Sequence, residues 1–249
     1  MIASASQARA LLNLDRHWCI YALGDLDARR EADSHWFCHH ESVALLYREF
    51  DTPILFSSGA TNALIEAMQQ TERCFVQIPL DHLDTVATRF QLQWTRRMHR
   101  LRLDPADFKP VDHNSVSLLT AADEADIRKL YADGEQANES PDFFFASQLD
   151  DATFHGIRLV DGTLVAAGGT HLYSTQESIG AMGNVYTHRE HRGRGYAAAI
   201  TSAIAQSLLD RNIQTIALNV KQGNDTALRI YERVGFRHYR DYWEGLAHR

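Results

Sequence analysis

The sequence predicts an α/β protein in which a mixed sheet flanked by helices is preceded by a smaller α/β lobe. The stretch from Val185 to Leu209 has the pattern of an apolar strand, a basic turn with two glycines, and a helix. The order strand, strand, helix, strand, helix, strand is indicated twice, once before about Leu103 and once after it. A polar segment with two prolines, Asp104 to Ser115, separates them. The sequence therefore predicts two domains, 1–108 and 114–249.

The composition is that of an ordinary globular protein, with 45% hydrophobic and 23% charged residues in 249. A net charge of −7 gives no support to nucleic-acid binding. No segment approaches the roughly 18 apolar residues that a membrane helix needs, and Met1 to Leu12 lacks the pattern of a signal peptide. Three cysteines without a repeated spacing argue against a disulfide framework. We expect a cytoplasmic monomer or homodimer without a membrane or nucleic-acid partner.

The first block shows short elements of alternating type. The expected strands and helices are Ser42 to Phe50, Pro53 to Ser57, a helix after Gly59-Ala60-Thr61, Cys74 to Ile78, Leu80 to Phe90 and Leu92 to Leu103. One hypothesis is a degenerate copy of the second block that lacks basic residues at its Ser57 to Thr61 turn and so lacks an anion site. The alternative is an unrelated α+β lobe, and the sequence leaves both open.

Two polar clusters in this block have ordinary explanations. The segment with His35, Cys38, His39, His40 and Glu41 contains good metal ligands. However, adjacent histidines on a strand point to opposite faces and no second ligand pair lies nearby, so we predict no metal site. The basic alternation of Arg96, Arg97, His99, Arg100 and Arg102 is typical of the solvated face of an edge strand.

The second block is predicted to contain a strand, a helix and then a sheet interrupted by two further helices. The elements are a strand at Val116 to Leu119, a helix from Thr120 through Tyr131, a hairpin of Phe154 to Val160 and Leu164 to Leu172, strands at Glu177 to Tyr186 and Thr215 to Val220, a helix at Asp225 to Val234, and a closing strand at His238 to Leu246.

The turn Arg192-Gly193-Arg194-Gly195-Tyr196-Ala197 has the features of an anion site. The first N–H groups of a helix have no partner within the helix, and the helix dipole is positive at that end. Glycines at 193 and 195 let a bulky anion approach the backbone. A solvated surface loop is the alternative, but basic side chains beside two glycines and a helix start favour a phosphorylated ligand.

Two common phosphate-binding motifs do not fit this turn. The spacing Gly193-x-Gly195-x-x-Ala198 also matches a dinucleotide fingerprint, but the strand from Thr215 to Val220 ends without the acid that would bind a ribose. No Gly-Lys-Ser/Thr is present, so a Walker loop is excluded.

The same turn resembles the Arg/Gln-x-x-Gly-x-Gly/Ala motif of the GCN5-related N-acetyltransferase (GNAT) superfamily. The later run from Asn224 to Phe236 resembles that superfamily's Asn-x-x-Ala-x-x-x-Tyr-x-x-x-Gly-Phe helix, with Ala227, Tyr231 and Gly235 in place. The two motifs occur in the right order, and the resemblance covers roughly Val116 to the C-terminus. It implies a mixed, mostly antiparallel GNAT-type sheet.

The resemblance also implies a binding mode for acetyl-CoA or another acyl-CoA. The backbone of Gly183, Asn184, Val185 and Tyr186 would pair with the pantetheine arm. The turn from Arg192 to Ala197, which includes Gly193, Arg194, Gly195 and Tyr196, would hold the pyrophosphate. Asn224 would contact the CoA arm, although a helix cap explains it equally well.

The reaction implied is acyl transfer from CoA to an amine, with Tyr231 as the general acid that protonates the thiolate. A phenol is protonated at neutral pH. Packing beside Ala227 and Val234 is the alternative role for this tyrosine. The carbonyl oxyanion needs a donor such as a strand N–H.

The general base is not indicated, because the strand carries no acid between Ile179 and Thr187. Five candidates lie elsewhere in the second block: Glu135, Glu139, Asp142, His171 and His188. Phe143, Phe144 and Phe145 would line an acceptor pocket or pack in the core.

We therefore predict an N-acyltransferase that moves an acetyl or other short acyl group to a small-molecule or peptide amine, without a metal. The alternative is a non-catalytic protein of the same fold that binds or senses acyl-CoA. A dinucleotide-dependent oxidoreductase is disfavoured by the missing ribose acid.

Overall fold

The structure, a computed structural model, describes residues 2–112, 115–137, 139–141, 143–151 and 153–249. The chain forms two compact units: residues 1–100, 220–223 and 238–249 make the first, and 101–219 and 224–237 the second. Among the described residues, no helix has both the length and the apolar character needed to cross a membrane.

The elements of the N-terminal part are short. In chain order they are β1 (Ile2–Ala3), α1 (Ala5–Leu12), α2 (Ile20–Gly24), β2 (Ser34–His39), β3 (Ser42–Tyr47), β4 (Ile54–Ser58), α3 (Asn62–Met68), β5 (Arg73–Pro79), α4 (Leu83–Ala87) and β6 (Gln91–Leu103).

The C-terminal part has longer strands and helices. Its elements are β7 (Val116–Leu118), α5 (Glu124–Glu135), β8 (His155–Arg158), β9 (Leu164–Ser174), β10 (Ile179–Thr187), α6 (Tyr196–Asp210), β11 (Thr215–Lys221), α7 (Asp225–Val234) and β12 (Arg237–His248). The helix expected from Thr120 begins with a single 3-10 turn, Ala121–Asp123, before α5.

In the first unit the sheet order is β1-β2-β3-β4-β5-β12-β6. Strands β2, β3 and β4 are antiparallel, and β4 is parallel to β5. Helix α3 joins these two parallel strands and buries Leu64 and Met68 in a core that also contains Val76 and Ile78.

The last strand differs from its predicted place in the second block. β12 lies in the first unit, antiparallel to β5, with Tyr242 opposite Pro79. Ala247 joins the apolar core of that unit, and buried Glu244 accepts a hydrogen bond from Gln77 of β5 at 3.2 Å. Burial of these side chains gives the strand its position, so the compact units are not the continuous segments 1–108 and 114–249.

The prediction of a solvated basic face on β6 is wrong. Arg100 is only 1% exposed, and its guanidinium lies 5.1–5.3 Å from the ring centroids of Trp18, Tyr21 and Tyr242. It donates to the carbonyls of His17 and Trp18 at 3.1 Å. Cation–π contacts and carbonyl acceptors together compensate for the loss of hydration.

The second unit contains the order β11-β10-β9-β8-β7. Strands β7, β8, β9 and β10 are antiparallel, whereas β10 and β11 are parallel. Helix α6 joins these last two strands and contacts β9 and β10. A further core contains Ile127, Leu130 and Tyr131 of α5 together with Phe154 and Tyr186.

The two units therefore share one connectivity: three antiparallel strands, a helix, and a strand parallel to the third. This is the arrangement expected of a duplicated unit, and duplication stays a hypothesis. The helix-start turns differ. A Cβ atom on Gly59 before α3 would lie 2.2 Å from the carbonyl oxygen of Glu41, whereas a Cβ on Gly195 before α6 would meet nothing within 4 Å.

Candidate functional site

The site begins where β10 separates from β11. The parallel pairing runs from Ile179 opposite Thr215 to Met182 opposite Leu218 and ends there. β10 nevertheless continues to Thr187. Between Gly183 and Tyr186 the strand thus has backbone groups that β11, described over its whole length, does not pair. Such groups are hydrogen-bonding partners for an extended ligand.

A bulge at Asn184 shapes this part of the strand. Its φ of 56° is left-handed, and the register with β9 shifts between Gly183 and Tyr186. The amide Nδ2 donates to the carbonyl of Phe143 and to Oε1 of Gln148, both at 3.1 Å. The hydroxyl of Tyr131 donates to the carbonyl of Asn184 at 2.7 Å. Asn184 is thus committed to holding the strand, and its carbonyl is already satisfied.

His171 of β9 lies against the same bulge. Its Nε2 is 3.2 Å from Oδ1 of Asn184, and a Cβ on Gly183 would come within 2.2 Å of that nitrogen. Because Asn184 uses its amide N–H groups elsewhere, its Oδ1 accepts the hydrogen bond and His171 carries its proton on Nε2. That tautomer leaves the lone pair on Nδ1.

The glycine turn after β10 has the expected conformation. Gly193 and Gly195 have φ values of 75° and 81°, a region that favours glycine, and a Cβ at either position would meet nothing within 4 Å. Gly195 is the N-cap of α6, and no side chain caps the helix. Tyr196 and Ala197 follow as its first two residues. The free space and uncapped N–H groups fit a phosphate or pyrophosphate.

The arginines of this region have different surroundings. Arg192 donates to Glu139 at 2.6 Å and to the carbonyl of Thr187 at 3.3 Å, and its guanidinium lies 5.7 Å from the ring centroid of Tyr186. Arg194 is exposed, and no hydrogen bond or ion pair joins its side chain to the described residues. Arg194 is therefore available to an anion, whereas Arg192 would have to exchange its carboxylate partner.

Asp133 of α5 fastens the end of β10 to the loop before the turn. It accepts hydrogen bonds from the hydroxyl of Tyr186 at 2.8 Å and from the backbone N–H of Arg189 at 3.0 Å. The guanidinium of Arg189 adds a third at 3.1 Å. Burial opposes ionisation of this carboxyl, but these donors outweigh it and lower the pKa of Asp133 to about 2.

Tyr186 itself belongs to the core. It is 5% exposed, and burial, with the neighbouring Asp133 carboxylate, raises the pKa of its phenol to about 12. Only its backbone is available to a ligand. Val185, by contrast, is partly exposed.

Tyr231 lies on α7, which contacts α6, and Asn224 is the N-cap residue of α7. Asn224 accepts a hydrogen bond from the N–H of Ala227 at 3.1 Å. It therefore caps the helix, which is one of the two roles predicted for it. The ring of Tyr231 packs on Phe236 at 6.1 Å, but no hydrogen bond joins its hydroxyl to the described residues. Burial raises the pKa of this phenol to about 12, so it is protonated at neutral pH.

Four of the five candidate bases can be placed. Glu139 is paired with Arg192, Glu135 is exposed at the end of α5, and His188 lies 3.5 Å from Asp133. Asp142 lies outside the described residues. His171 is the described candidate that contacts the bulge of β10.

The three phenylalanines differ in their surroundings. Phe144 packs edge-on against Tyr131 at 5.5 Å and lies 5.6 Å from Phe154, so it is a core residue. Phe145 is 43% exposed. The carbonyl of Phe143 accepts from both Asn184 and Gln148.

Sequence reasoning missed the roles of Tyr131, Asp133, Gln148 and Thr187. The first three act through contacts 36 to 56 positions along the chain, which no local pattern reveals. The buried hydroxyl of Thr187, next to the turn, has no hydrogen-bond partner among the described residues.

Residues 160–244 match the family model described as FR47-like protein. A solved Drosophila protein covers 98% of this chain and 97% of its own, with 14% identity and a TM-score of 0.72. The match to a GCN5-related N-acetyltransferase from Sphaerobacter thermophilus covers 100% of this chain and 94% of the other, with 17% identity and a TM-score of 0.62. A tandem GNAT protein from the clavulanic acid biosynthesis pathway covers 99% and 97%, with 12% identity and a TM-score of 0.59.

These similarities confirm the expected GNAT-type fold. The mixed, mostly antiparallel sheet is the one predicted, and the segment 160–244 is similar to the FR47-like family. That segment contains β10, the glycine turn and α7, so the matched region is the one that carries the candidate site.

Replacement of Asp133 by asparagine should destabilise the protein in a pH-dependent way. The ionised carboxylate contributes stability above the unfolded pKa of about 3.9, and this contribution is lost as the pH falls towards the folded value of about 2. We expect a loss of about 2 kcal/mol at pH 7, because each unit of pKa shift corresponds to about 1.4 kcal/mol. Urea denaturation at pH 7 and in acid measures it.

The exposed Asp112 supplies the control, since Asp112→Asn removes the same charge away from this contact. Equal effects of the two substitutions at pH 7 would contradict the assigned role of Asp133.

Proposed function

We propose that the protein is an acyl-CoA-dependent N-acyltransferase that moves an acetyl or other short acyl group to an amine. The observation that carries this proposal is the early end of the β10–β11 pairing at Met182, followed on the same strand by the open glycine turn. An extended amide-containing arm fits the unpaired strand, and a pyrophosphate fits the turn. Acyl-CoA contains both groups, in that order along one molecule.

Binding is assigned to backbone groups first. Unpaired groups of Gly183, Val185 and Tyr186 pair with the pantetheine arm, while the carbonyl of Asn184 stays with Tyr131. The N–H groups from Gly193 to Ala197 surround the pyrophosphate at the uncapped start of α6. Arg194 adds charge directly, and Arg192 adds it after leaving Glu139.

In the transfer step the amine nitrogen attacks the thioester carbonyl carbon and the carbon–sulfur bond breaks. A backbone N–H of the separated part of β10 stabilises the oxyanion. The hydroxyl of Tyr231, protonated and without a hydrogen-bond partner among the described residues, gives its proton to the sulfur as the bond breaks. The products are an N-acylated amine and CoA with a free thiol, and Tyr231 is reprotonated from solvent.

His171 is assigned as the group that takes the proton from the amine. It lies beside Gly183 and Asn184, at the part of β10 that is separated from β11, where the thioester would lie. The other described candidates are ion-paired or exposed. Gly183 permits this contact because any larger residue would displace the imidazole.

The names of similar solved structures support an amine as the acceptor. The similar structures from Sphaerobacter thermophilus and Kribbella flavida are described as GCN5-related N-acetyltransferases, which supports an amine acceptor and an acetyl donor. Small-molecule and peptide amines are both within this proposal, and neither a metal nor a nucleic acid has a part in it.

Gly195→Asp should weaken acetyl-CoA binding at least about tenfold, a change of about 1.4 kcal/mol. Aspartate is a good N-cap residue, so its carboxylate would occupy the N–H groups that the pyrophosphate needs and would repel the phosphates. Calorimetric titration of acetyl-CoA and CoA into the full-length protein measures the change, with NADH as a ligand that should not bind.

Gly223→Asp is the matched control, because Gly223 also has a positive φ, 88°, and open space around its Cβ position. Wild-type protein that fails to bind either CoA ligand would refute the proposed function. Equal weakening by both substitutions would refute the assignment of the turn.

Tyr231→Phe should lower kcat by about a hundredfold and leave acetyl-CoA affinity unchanged, because loss of a general acid typically costs 10²-fold or more. Thiol release with a panel of primary amines and peptides measures kcat, and calorimetry measures affinity. Tyr173→Phe on β9 serves as the control for removal of a tyrosine hydroxyl. Tight acetyl-CoA binding without thiol release for any acceptor would favour the non-catalytic sensor instead.

His171→Gln should also lower kcat, by about a hundredfold at neutral pH, with a smaller loss as the pH rises and more of the amine is already deprotonated. The pH–rate profile of thiol release tests this, since a purely structural role for His171 would lower the rate at every pH. An unchanged shape of the profile would exclude His171 as the base.

A further inference from the structure

We propose that the first unit holds a divalent transition-metal ion, with Zn²⁺ as the best match, between His99 of β6 and His238 and Asp241 of β12. The metal-ligating atoms of these three side chains lie within 4.8 Å of one another. All three residues belong to the first unit, and none takes part in the proposed acyl transfer. The inference is therefore independent of the proposed function.

The three side chains already converge on one atom. Oδ1 of Asp241 lies 2.6 Å from Nδ1 of His99 and 2.7 Å from Nε2 of His238, and the two rings are 5.3 Å apart. A tetrahedral zinc site with bonds of about 2.0–2.1 Å places its ligand atoms about 3.3 Å apart. Shifts below about 1 Å would thus replace two hydrogen bonds by three metal bonds.

The type of ligand selects the metal. Two imidazoles and one carboxylate suit Zn²⁺ and similar transition metals, whereas Mg²⁺ and Ca²⁺ prefer oxygen ligands throughout. Three protein ligands leave one position of a tetrahedral site for water or another ligand. The side chain of His238 is 51% exposed, so solvent reaches the cluster.

Arg97 is the charged neighbour to consider. Its guanidinium donates to Oδ2 of Asp241 at 3.2 Å, on the oxygen that does not contact the histidines. The contact orients the carboxylate and leaves Oδ1 for an ion, as outer-shell hydrogen bonds do in known metal sites. The positive charge of Arg97 repels a cation and so lowers the affinity of the site for a metal ion. The bonds from two imidazoles and one carboxylate must outweigh this repulsion.

A second group of ligand types, His188, Glu190 and His191, is a weaker candidate. Nδ1 of His188 accepts a hydrogen bond from the backbone N–H of Glu190, and its Nε2 lies 3.5 Å from Asp133. The two ring nitrogens of His188 thus face other partners. The group also adjoins the turn assigned to the pyrophosphate.

An ion at the first cluster would link two strands that are far apart in sequence, since His99 and Asp241 are separated by 142 positions. Binding to the folded state alone raises the free energy of unfolding in proportion to the logarithm of the ion concentration. We therefore expect Zn²⁺ to stabilise the protein.

The test uses full-length protein stripped with EDTA and dialysed. Calorimetric titration with ZnCl₂ should show one saturable site, and MgCl₂ should show none. His99→Gln and Asp241→Asn should each weaken Zn²⁺ binding by more than the 10–100-fold that loss of an outer-shell partner costs. His248→Gln, an exposed histidine on the same strand, should bind like wild type.

Thermal unfolding with and without Zn²⁺ supplies a second measurement. The midpoint of unfolding should rise with Zn²⁺ in the wild type and in His191→Gln, which removes one ligand of the second group. It should not rise in Asp241→Asn. Circular dichroism at 20 °C shows whether each variant is folded. Absence of a saturable Zn²⁺ site in the wild type would overturn the proposal, as would binding that His191→Gln abolishes.

Discussion

The separation of β10 from β11 is the constraint on which the rest of the candidate site depends. It does not arise from β11, which simply continues, but from the left-handed bulge at Asn184, where φ is 56°. Asparagine tolerates this conformation better than most residues do. Tyr131, Phe143 and Gln148 hold the bulge with three hydrogen bonds of 2.7–3.1 Å. A strand bent in this way exposes backbone groups that a regular parallel pair would satisfy internally.

The sequence could predict the parts of the site that depend on local geometry. Glycines at 193 and 195 are required by their positive φ values, and that requirement is visible in the residue type. The alternation of strands and helices, and the helix cap at Asn224, are also encoded within a few residues. The fold could be predicted because the order of these local elements, together with two motifs, resembles that of one superfamily. The comparisons confirmed the fold.

The remaining features depend on contacts between distant segments. β12 pairs with β5 through residues such as Gln77 and Glu244, which are 167 positions apart. Arg100 has the residue type of a solvated strand face, yet it is buried among aromatic rings that come from other elements. His238 and Asp241 are three residues apart, a spacing that places side chains on opposite faces of a regular strand. Their contact at 2.7 Å was therefore not predictable from periodicity.

The two helix-start turns show how one connectivity can serve different ends. Before α3, the carbonyl of Gly59 accepts a hydrogen bond from His82 at 2.9 Å, and the backbone at Glu41 fills the space above the turn. Before α6, the space is open and basic side chains surround it. An anion needs both free N–H groups and room to approach them. At the first turn, backbone atoms of Glu41 and Ser42 fill the space that an anion would need. At the second turn the space is open and no side chain caps α6, which is why the proposed binding site lies in the second unit.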